Sequence, residues 1–600
     1  MQVRQTLIAL SIASAVALYA LPSNACFTVI VGKNISTTGE IIVGHNEDND
    51  LRILSNQYYV PPADHKAGEV IDMEPSAAKI PQVAHTLGYW WQQTLHPDGY
   101  SFSDSFVNEA GVLVTSNNCG ETIEANEPVV DGGVGYGIRR LIAERAKTAR
   151  EGVEIAIALV KRYGYTHQGR TYTIADKNEA WQLALLRGHR YLARRVSNDE
   201  MTAMANTYSL GEVDLTDKEN VIASPDLVEN AVKKGTFKPK KPSDATGFHF
   251  RNAYQLDSRV SADWTKERMR TMIRHFTGKD VKDPYKFPMT FTPKKKISPE
   301  DVRTIIRLNN PNEKRASGFH HESMNDVSNI GTFDSAVFVM TQDPRLTYTW
   351  RTSGRPDSQY SYAQFVLAGP AKAQNYLSPK EGMRAQFRST ASDLNYDPDR
   401  TVYTFLNWQN MIDWNKEAFK NFKRTQKEAE VLFARNHKVD LKKAKQLLAV
   451  NPAKAFEFMH AVNVSNFDVV LGMTAAELSK INRYTITIGA KELSKSDDKG
   501  TINVTLFSHK GFDATKIDTA KTVFGDPYPN PDVDLNVNRA KVSSVKFVDV
   551  DGDGLKDAVL TFPVKGAVAD TFAGVTSELY LWTEVDKKRI VAFDTVKIVK

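Results

Sequence analysis

The sequence predicts an α+β protein in which a layered sheet-and-helix domain, residues 26–482, precedes a small all-β sandwich, residues 483–600. Three observations carry this expectation. The 600 residues exceed the size at which a single core stops growing. Up to about Asn482, β-branched runs of strand length are mixed with long stretches of helical periodicity. From Arg483 onward the texture changes to short strands without that periodicity.

Residues 1–25 read as a signal peptide: one early charge at Arg4, an apolar stretch from Leu7 to Leu21, the helix-ending Pro22 and the small-residue site Ser23-Asn24-Ala25. The stretch is short and rich in Ala and Ser for a membrane span, and no later segment reaches the unbroken apolar length a span needs. Cleavage would make Cys26 the first residue of a protein that is secreted or periplasmic. The alternatives are an uncleaved anchor, a lipid-modified cysteine and a merely structural Cys26. Ser23 stands where a lipoprotein site carries an aliphatic residue, and FTVIVGK enters a strand with no polar tether, so ordinary cleavage is favoured.

Next, Phe27 to Val31 and Glu40 to Val43, separated by STTG, predict a hairpin. Further strands are expected at Gly111 to Thr115, Thr171 to Ala175, Trp181 to Leu186 and Tyr191 to Val196. Ile138 to Arg162 has apolar residues at helical spacing with a break expected near Gly152. Later helices are expected at Asp263 to Phe276, Pro299 to Leu308, Gln409 to Arg435 and Leu441 to Val462. The closing strands YTITIGAK, INVTLFS, VSSVKFV, DAVLTFPV and ELYLWTEV predict an antiparallel sandwich.

The charge balance of 77 basic and 71 acidic residues leaves a net +6, and no basic run interleaved with aromatics occurs, so nucleic acid is not an expected partner. The Lys/Pro-rich patch from Lys234 to Asp244 reads as a solvated loop. Of the two cysteines, Cys26 and Cys119, the local sequence favours a reduced Cys26 and a buried Cys119 over a disulfide.

Chemistry concentrates at Cys26. A thiol attacks as its thiolate and needs a base or a positive field. A freed α-amine, with a reference pKa of about 8, belongs to the same residue and can accept that proton. The segment GHNEDND, Gly44 to Asp50, ends the partner strand of the hairpin, which would bring Asp48 beside the α-ammonium, with His45 and Asn46 as polar neighbours on the substrate side.

From these residues the chain resembles the N-terminal-nucleophile (Ntn) cysteine hydrolases of the secreted dipeptidase family, relatives of penicillin V acylase and choloylglycine hydrolase. The resemblance rests on CFTVIVGKNISTTGEIIVGHNED, VNEAGVLVTSNN, ERAKTAREGVE, YTIADKNEAWQLALLRGHRYLARRV and MANTYSL, then GFHHESM, FDSAVFVM and WRTSGRPDSQY, and covers Cys26 to about Leu377. It implies a four-layer αββα fold and attack of Cys26 on an amide carbonyl through an acyl-enzyme, with no catalytic cofactor. Carried over by motif, Asp48 orients the amine, Asn118 donates to the oxyanion with Asn117 as the competing choice, and Asn206 supports nucleophile or oxyanion. Arg268 is carried over with Arg259 and Arg270 as alternatives. Related enzymes often have arginine where this chain has His45, which leaves the identity of the activating cation open. His320 is a substrate-side candidate and, with His321, has no third ligand at metal spacing. Trp350 and Arg351 read as core and surface respectively.

The resemblance implies an exported dipeptidase acting on short peptides, dipeptides above all. An acylase cutting penicillin-like, bile-salt-like or other N-acyl amides would use the same groups. A reading of another class, a calcium-stabilised surface protein without activity, draws on DVDGDGLKD. There Asp549, Asp551, Asp553 and Asp557 surround Gly552 and Gly554 in a pattern like an EF-hand loop, a candidate site for structural Ca²⁺.

Overall fold

The computed structural model describes residues 26–49, 53–71, 73–95, 103–242, 244–311, 324–374, 377–527 and 539–600. The expected leader and His320 lie outside the described residues. The chain is a mixed helix-and-sheet protein. Among the described residues, no helix is long and apolar enough to cross a membrane.

The predicted hairpin forms as β1 (Phe27–Val31) and β2 (Ile41–Asp48), paired antiparallel with Thr28 opposite His45. The second strand runs beyond Val43 through the whole of GHNED, every residue of it buried. These two strands lie inside a six-stranded antiparallel sheet in the order Met201–Met204, β1, β2, Thr332–Met340, Tyr348–Thr352, Tyr362–Phe365. An eight-stranded antiparallel sheet runs Val221–Ala223, Tyr191–Val196, Ala180–Gly188, Tyr165–Ala175, Leu113–Asn118, Ser103–Asn108, Tyr89–Leu95, Leu54–Val60.

Alternation along β1 divides its side chains between two cores. Ile30 shares one core with Val43 and Phe338 of its own sheet and with Trp90, Val107 and Leu113 of the larger sheet. Phe27, Val29 and Val31 face the other way, into a core with Met269, Met272 and Ile273 of the Asp263–Thr277 helix and Val302 of the Pro299–Ile305 helix. Both faces are therefore dry, and this is why β1 reads as a continuous apolar run. On the outer side of the larger sheet, Tyr172, Ile174 and Leu183 pack against Leu141, Ile142, Val153 and Val160 of two helices.

Those two helices, Ile138–Arg145 and Ala149–Tyr163, meet at residues 146–148, where Thr148 caps the second by accepting from the Glu151 amide. The break expected near Gly152 falls instead at these residues, ahead of the glycine. Gly152 sits inside the helix, and a Cβ there would lie 3.0 Å from both Ile142 Cγ2 and Ile174 Cγ2, so this glycine marks close packing. The later helical stretch also divides differently from expectation, into Thr401–Ile412, Lys416–Val450 and Pro452–Ile481. The break falls at Asn451-Pro452, because Pro452 fits the first turn of a helix and Asn451 caps it through the Lys454 amide. Arg351, expected at the surface, is buried and paired with Asp334, since strand Tyr348–Thr352 lies inside the sheet.

Beyond residue 484 a four-stranded and a five-stranded sheet share a core that includes Val504, Leu560, Phe562, Leu581, Ala592 and Ile598. Edge strand Glu492–Ser494 runs parallel to Lys588–Val599, so the pairing is not antiparallel throughout. Tyr580, Trp582 and Val591 carry this part onto Met411 and Trp414 of the helical segment.

Gly44 is where the outer helix meets β2: a Cβ there would stand 2.5 Å from Val302 Cγ1. Gly44→Ala should therefore cost about 1–3 kcal/mol in chemical unfolding, the usual range for overpacking. An unchanged midpoint would show that the Pro299–Ile305 helix yields without strain.

Candidate active site

Register decides what surrounds Cys26. With Thr28 opposite His45 and Phe27 opposite Asn46, the position facing Cys26 is Glu47, two residues beyond His45 along β2, and paired residues project to the same face. Cys26 Sγ accordingly lies 3.4 Å from Glu47 Oε2, and both residues are buried. Asp48, next on the strand, turns its side chain to the helix side.

That side holds a buried arginine. On the Asp263–Thr277 helix, Thr265, Arg268 and Met272 fall on one buried stripe at spacings of three and four. Arg268 Nη1 donates to the Cys26 carbonyl oxygen at 3.1 Å and lies 3.5 Å from Asp48 Oδ2, while Nη2 donates to Asn206 Oδ1 at 2.7 Å. Asp48 is also held by Asn329 Nδ2 at 2.7 Å and by the Thr332 hydroxyl. Asn206 passes the connection on, its Nδ2 donating to the Asn118 carbonyl at 3.0 Å. Arg259 donates through Nε to the Asn206 carbonyl at 2.8 Å, and Trp264 lies under both guanidinium groups.

Cys26, Asp48, Asn118, Asn206 and Arg268 are thus brought together, with Arg259 beside them. Arg270 is not: two residues on from Arg268, it faces outward and pairs with Asp280 and Glu267. Asn46 does not reach the thiol either. It projects to the helix side, where Nδ2 donates to the Ile306 and Val327 carbonyls and Oδ1 accepts from Ser335. His45 and Asn117 are inside the protein on the thiol's face, bonded to Thr28. Asn118 Oδ1 is engaged by the amide of Gly120. Cys119 is free and buried, and its thiol contacts Thr171 and the Asn117 carbonyl.

Sequence reasoning missed Glu47, Thr28, Asn329, Thr332 and Arg170. Strand alternation from the hairpin register would have found the first two. Arg170, from strand Tyr165–Ala175, bonds Ser116 Oγ at 2.9 Å, and its charge favours the Cys26 thiolate. Burial, reinforced by Glu47 and Asp48, outweighs it and pushes the Cys26 thiol well above the ordinary thiol range. Burial also lifts the Asp48 carboxyl to about 6 against the pull of Arg268, Thr332 and Asn329, and brings Arg268 down to about 10 against the pull of Asp48.

In the acidic loop, carboxylate oxygens of Asp549, Asp551 and Asp557 lie within 4.8 Å of one another. Asp553 is outside this group; its carboxylate accepts from the Leu555 amide, which turns it along the loop.

The sequence model of Peptidase family C69 matches residues 25–323. Over that segment, just under half of the 600 residues, the chain is similar to peptidase family C69. The C69 segment contains Cys26, Asp48, Asn118, Asn206 and Arg268, whereas Asn329 and Thr332 follow it. A probable dipeptidase B of Streptococcus pyogenes serotype M3 is 31% identical over 250 residues, 41% of this chain and 49% of the relative. A probable dipeptidase of Latilactobacillus sakei is 25% identical over 293 residues, 47% of this chain and 60% of the relative. The chain therefore spans about half to three-fifths of the length of these curated relatives. Among solved structures, penicillin V acylase from Agrobacterium tumefaciens matches at 13% identity with a TM-score of 0.28, covering 57% of this chain and 86% of that one.

The raised Asp48 carboxyl makes stability depend on pH with a definite sign. Its folded value of about 6 exceeds the unfolded value, so stability from the protonated form is fully present below about 4 and lost as pH rises through about 6. The wild type should lose roughly 3 kcal/mol of unfolding free energy between about pH 4 and pH 7 through this group. Asp48→Asn should remove that part of the pH dependence; parallel profiles for the two proteins would contradict the assignment.

Proposed function

We propose that this chain is an exported cysteine dipeptidase that hydrolyses short peptides through Cys26, freed as the N-terminal residue of an Ntn hydrolase. The observation that carries the reading is that Arg268, itself held by Asp48 and Asn206, donates to the backbone carbonyl of Cys26, while the thiol faces the opposite side of the strand. The helix, sheet, sheet, helix succession of the cores supports the four-layer αββα reading, and the paired sheets after residue 484 support a β-sandwich.

In this mechanism the Cys26 sulfur attacks the peptide carbonyl, the amine product leaves, and water hydrolyses the thioester. Removing residues 1–25 changes the electrostatics at the right place. In the uncut chain burial and two carboxylates keep the thiol protonated. A free α-amine supplies the acid–base group and, as ammonium, a positive charge beside the sulfur. Asp48, fixed from three sides, orients that amine. Asn206 holds Arg268 and the Asn118 strand end in register, and Asn118 is the oxyanion donor; one such donor is worth roughly 3 kcal/mol of barrier.

N-terminal sequencing of the exported protein should begin at Cys26, and Cys26→Ser should lose about 1,000-fold or more of dipeptide turnover while melting like the wild type. An exported, active protein retaining residues before Cys26, or an active Cys26→Ser variant, would sink the reading.

We also propose a structural Ca²⁺ at the 549–557 loop. Asp549, Asp551 and Asp557 offer converging oxygens of the kind a hard cation takes, and Gly552 and Gly554, at φ of 80° and 88°, give the loop its tight path. Calcium at about 100 times its dissociation constant should stabilise the C-terminal part by about 2.7 kcal/mol, and Asp551→Asn should abolish the gain. Identical melting curves with calcium and with chelator would leave the loop an acidic turn.

A further inference from the structure

A line of buried polar contacts begins at the Cys26 thiol and runs away from the Arg268 network. Cys26 Sγ is the donor to Glu47 Oε2 at 3.4 Å, and the same oxygen lies 3.1 Å from His45 Nε2. His45 Nδ1 lies 2.7 Å from Thr28 Oγ1, which donates to Asn117 Oδ1 at 2.6 Å. Cys26, Glu47, His45, Thr28 and Asn117 are each at most 1% exposed.

The line has a direction. Thr28 carries one hydroxyl proton, and it is directed at Asn117 Oδ1. Its oxygen therefore accepts from His45, which puts the ring proton of neutral His45 on Nδ1 and leaves the Nε2 lone pair facing Glu47. A carboxylate between a thiol and an imidazole lone pair can take a proton from one and hand it to the other. The charged groups that act electrostatically on the sulfur are Glu47 and Asp48 from β2, Arg170 from strand Tyr165–Ala175, and Arg259 and Arg268 from the helices beyond. Asp48 also faces His45 electrostatically.

We propose that Glu47 is a further catalytic residue of this site, taking the Cys26 thiol proton on Oε2 and passing it to His45 Nε2, where it is stored during attack. The inference rests on the reading of Cys26 as nucleophile. The S–H bond breaks as Oε2–H forms; Oε2–H then breaks as Nε2–H forms, leaving a thiolate, a carboxylate and an imidazolium. This divides the acid–base work assigned above to the α-amine. As ammonium it protonates the leaving nitrogen when the C–N bond breaks, and as amine it takes a proton from the water that attacks the thioester. The released thiolate recovers its proton from His45 through Glu47. Thr28 and Asn117 are positioning residues, fixing the His45 tautomer.

Glu47→Gln preserves shape and removes the negative charge beside the sulfur. A bystander carboxylate would then leave turnover unchanged or raise it, because the thiolate becomes easier to form. The relay instead requires a fall of about 100-fold or more in kcat with KM little changed and the melting temperature retained. A kcat within about threefold of wild type would overturn the proposal. A second readout does not depend on turnover: with Cys26 and Cys119 as the two cysteines, ¹³C labelling at cysteine Cβ reports the Cys26 thiolate directly, with Cys119 as internal reference. His45→Gln should hold the Cys26 resonance at its thiol position at pH values where the wild-type enzyme shows thiolate. The same titration in both proteins would overturn the relay even if Glu47→Gln proved too unstable to assay. Failure of the underlying reading looks different: Cys26→Ser would then keep its turnover.

Discussion

A guanidinium sealed from water must find acceptors for its donors or destabilise the fold that encloses it, and Arg268 finds them at the one place where three distant segments end. The carbonyl of Cys26, the carboxylate of Asp48 and the amide of Asn206 all converge on it, and Trp264 covers its face. Removing any one acceptor leaves a buried cation short of partners. The start of β1, the end of β2 and the second residue after strand Met201–Met204 are therefore held in a fixed relation by a single side chain from a helix.

Strand parity then divides the polar groups around Cys26. Its carbonyl engages the helix side, where Arg268 and Asp48 lie, and its side chain enters the space between the sheets beside Glu47 and above Thr28 and His45. The contacts to the Cys26 backbone and those to its thiol thereby lie on opposite faces of one strand. A one-residue slip of β1 against β2 would exchange the two environments. The buried apolar residues below, Ile30 with Val43 and Val29 with Ile42, resist that slip because each would lose its core.

Much of this was legible in the sequence. The continuous apolar run FTVIV announced a strand covered on both sides, and the Asp263–Thr277 helix followed from its period to within a residue. The same period separates Arg268, on the apolar stripe with Thr265 and Met272, from Arg270 on the outer face. Glu47 was missed because attention to Asp48 ignored alternation. Asn329 and Thr332 had no local signal at all: they meet Asp48 across more than 280 residues of chain, through strand Thr332–Met340 pairing with β2. The helix boundary at Asn451-Pro452 was available from proline's place in a first turn, whereas Gly152 read as a break because close packing against Ile142 and Ile174 is a tertiary fact.

The proposed function turns on a covalent bond at one sulfur. Quenching the enzyme in acid during turnover of a slow dipeptide substrate or its ester, followed by mass spectrometry of proteolytic fragments, reads that bond directly. The expected result is a fragment whose first residue is Cys26, heavier by the acyl part of the substrate and labile to hydroxylamine as a thioester is. Continued turnover with the adduct on another residue, or on a fragment that still carries residues before Cys26, would contradict it.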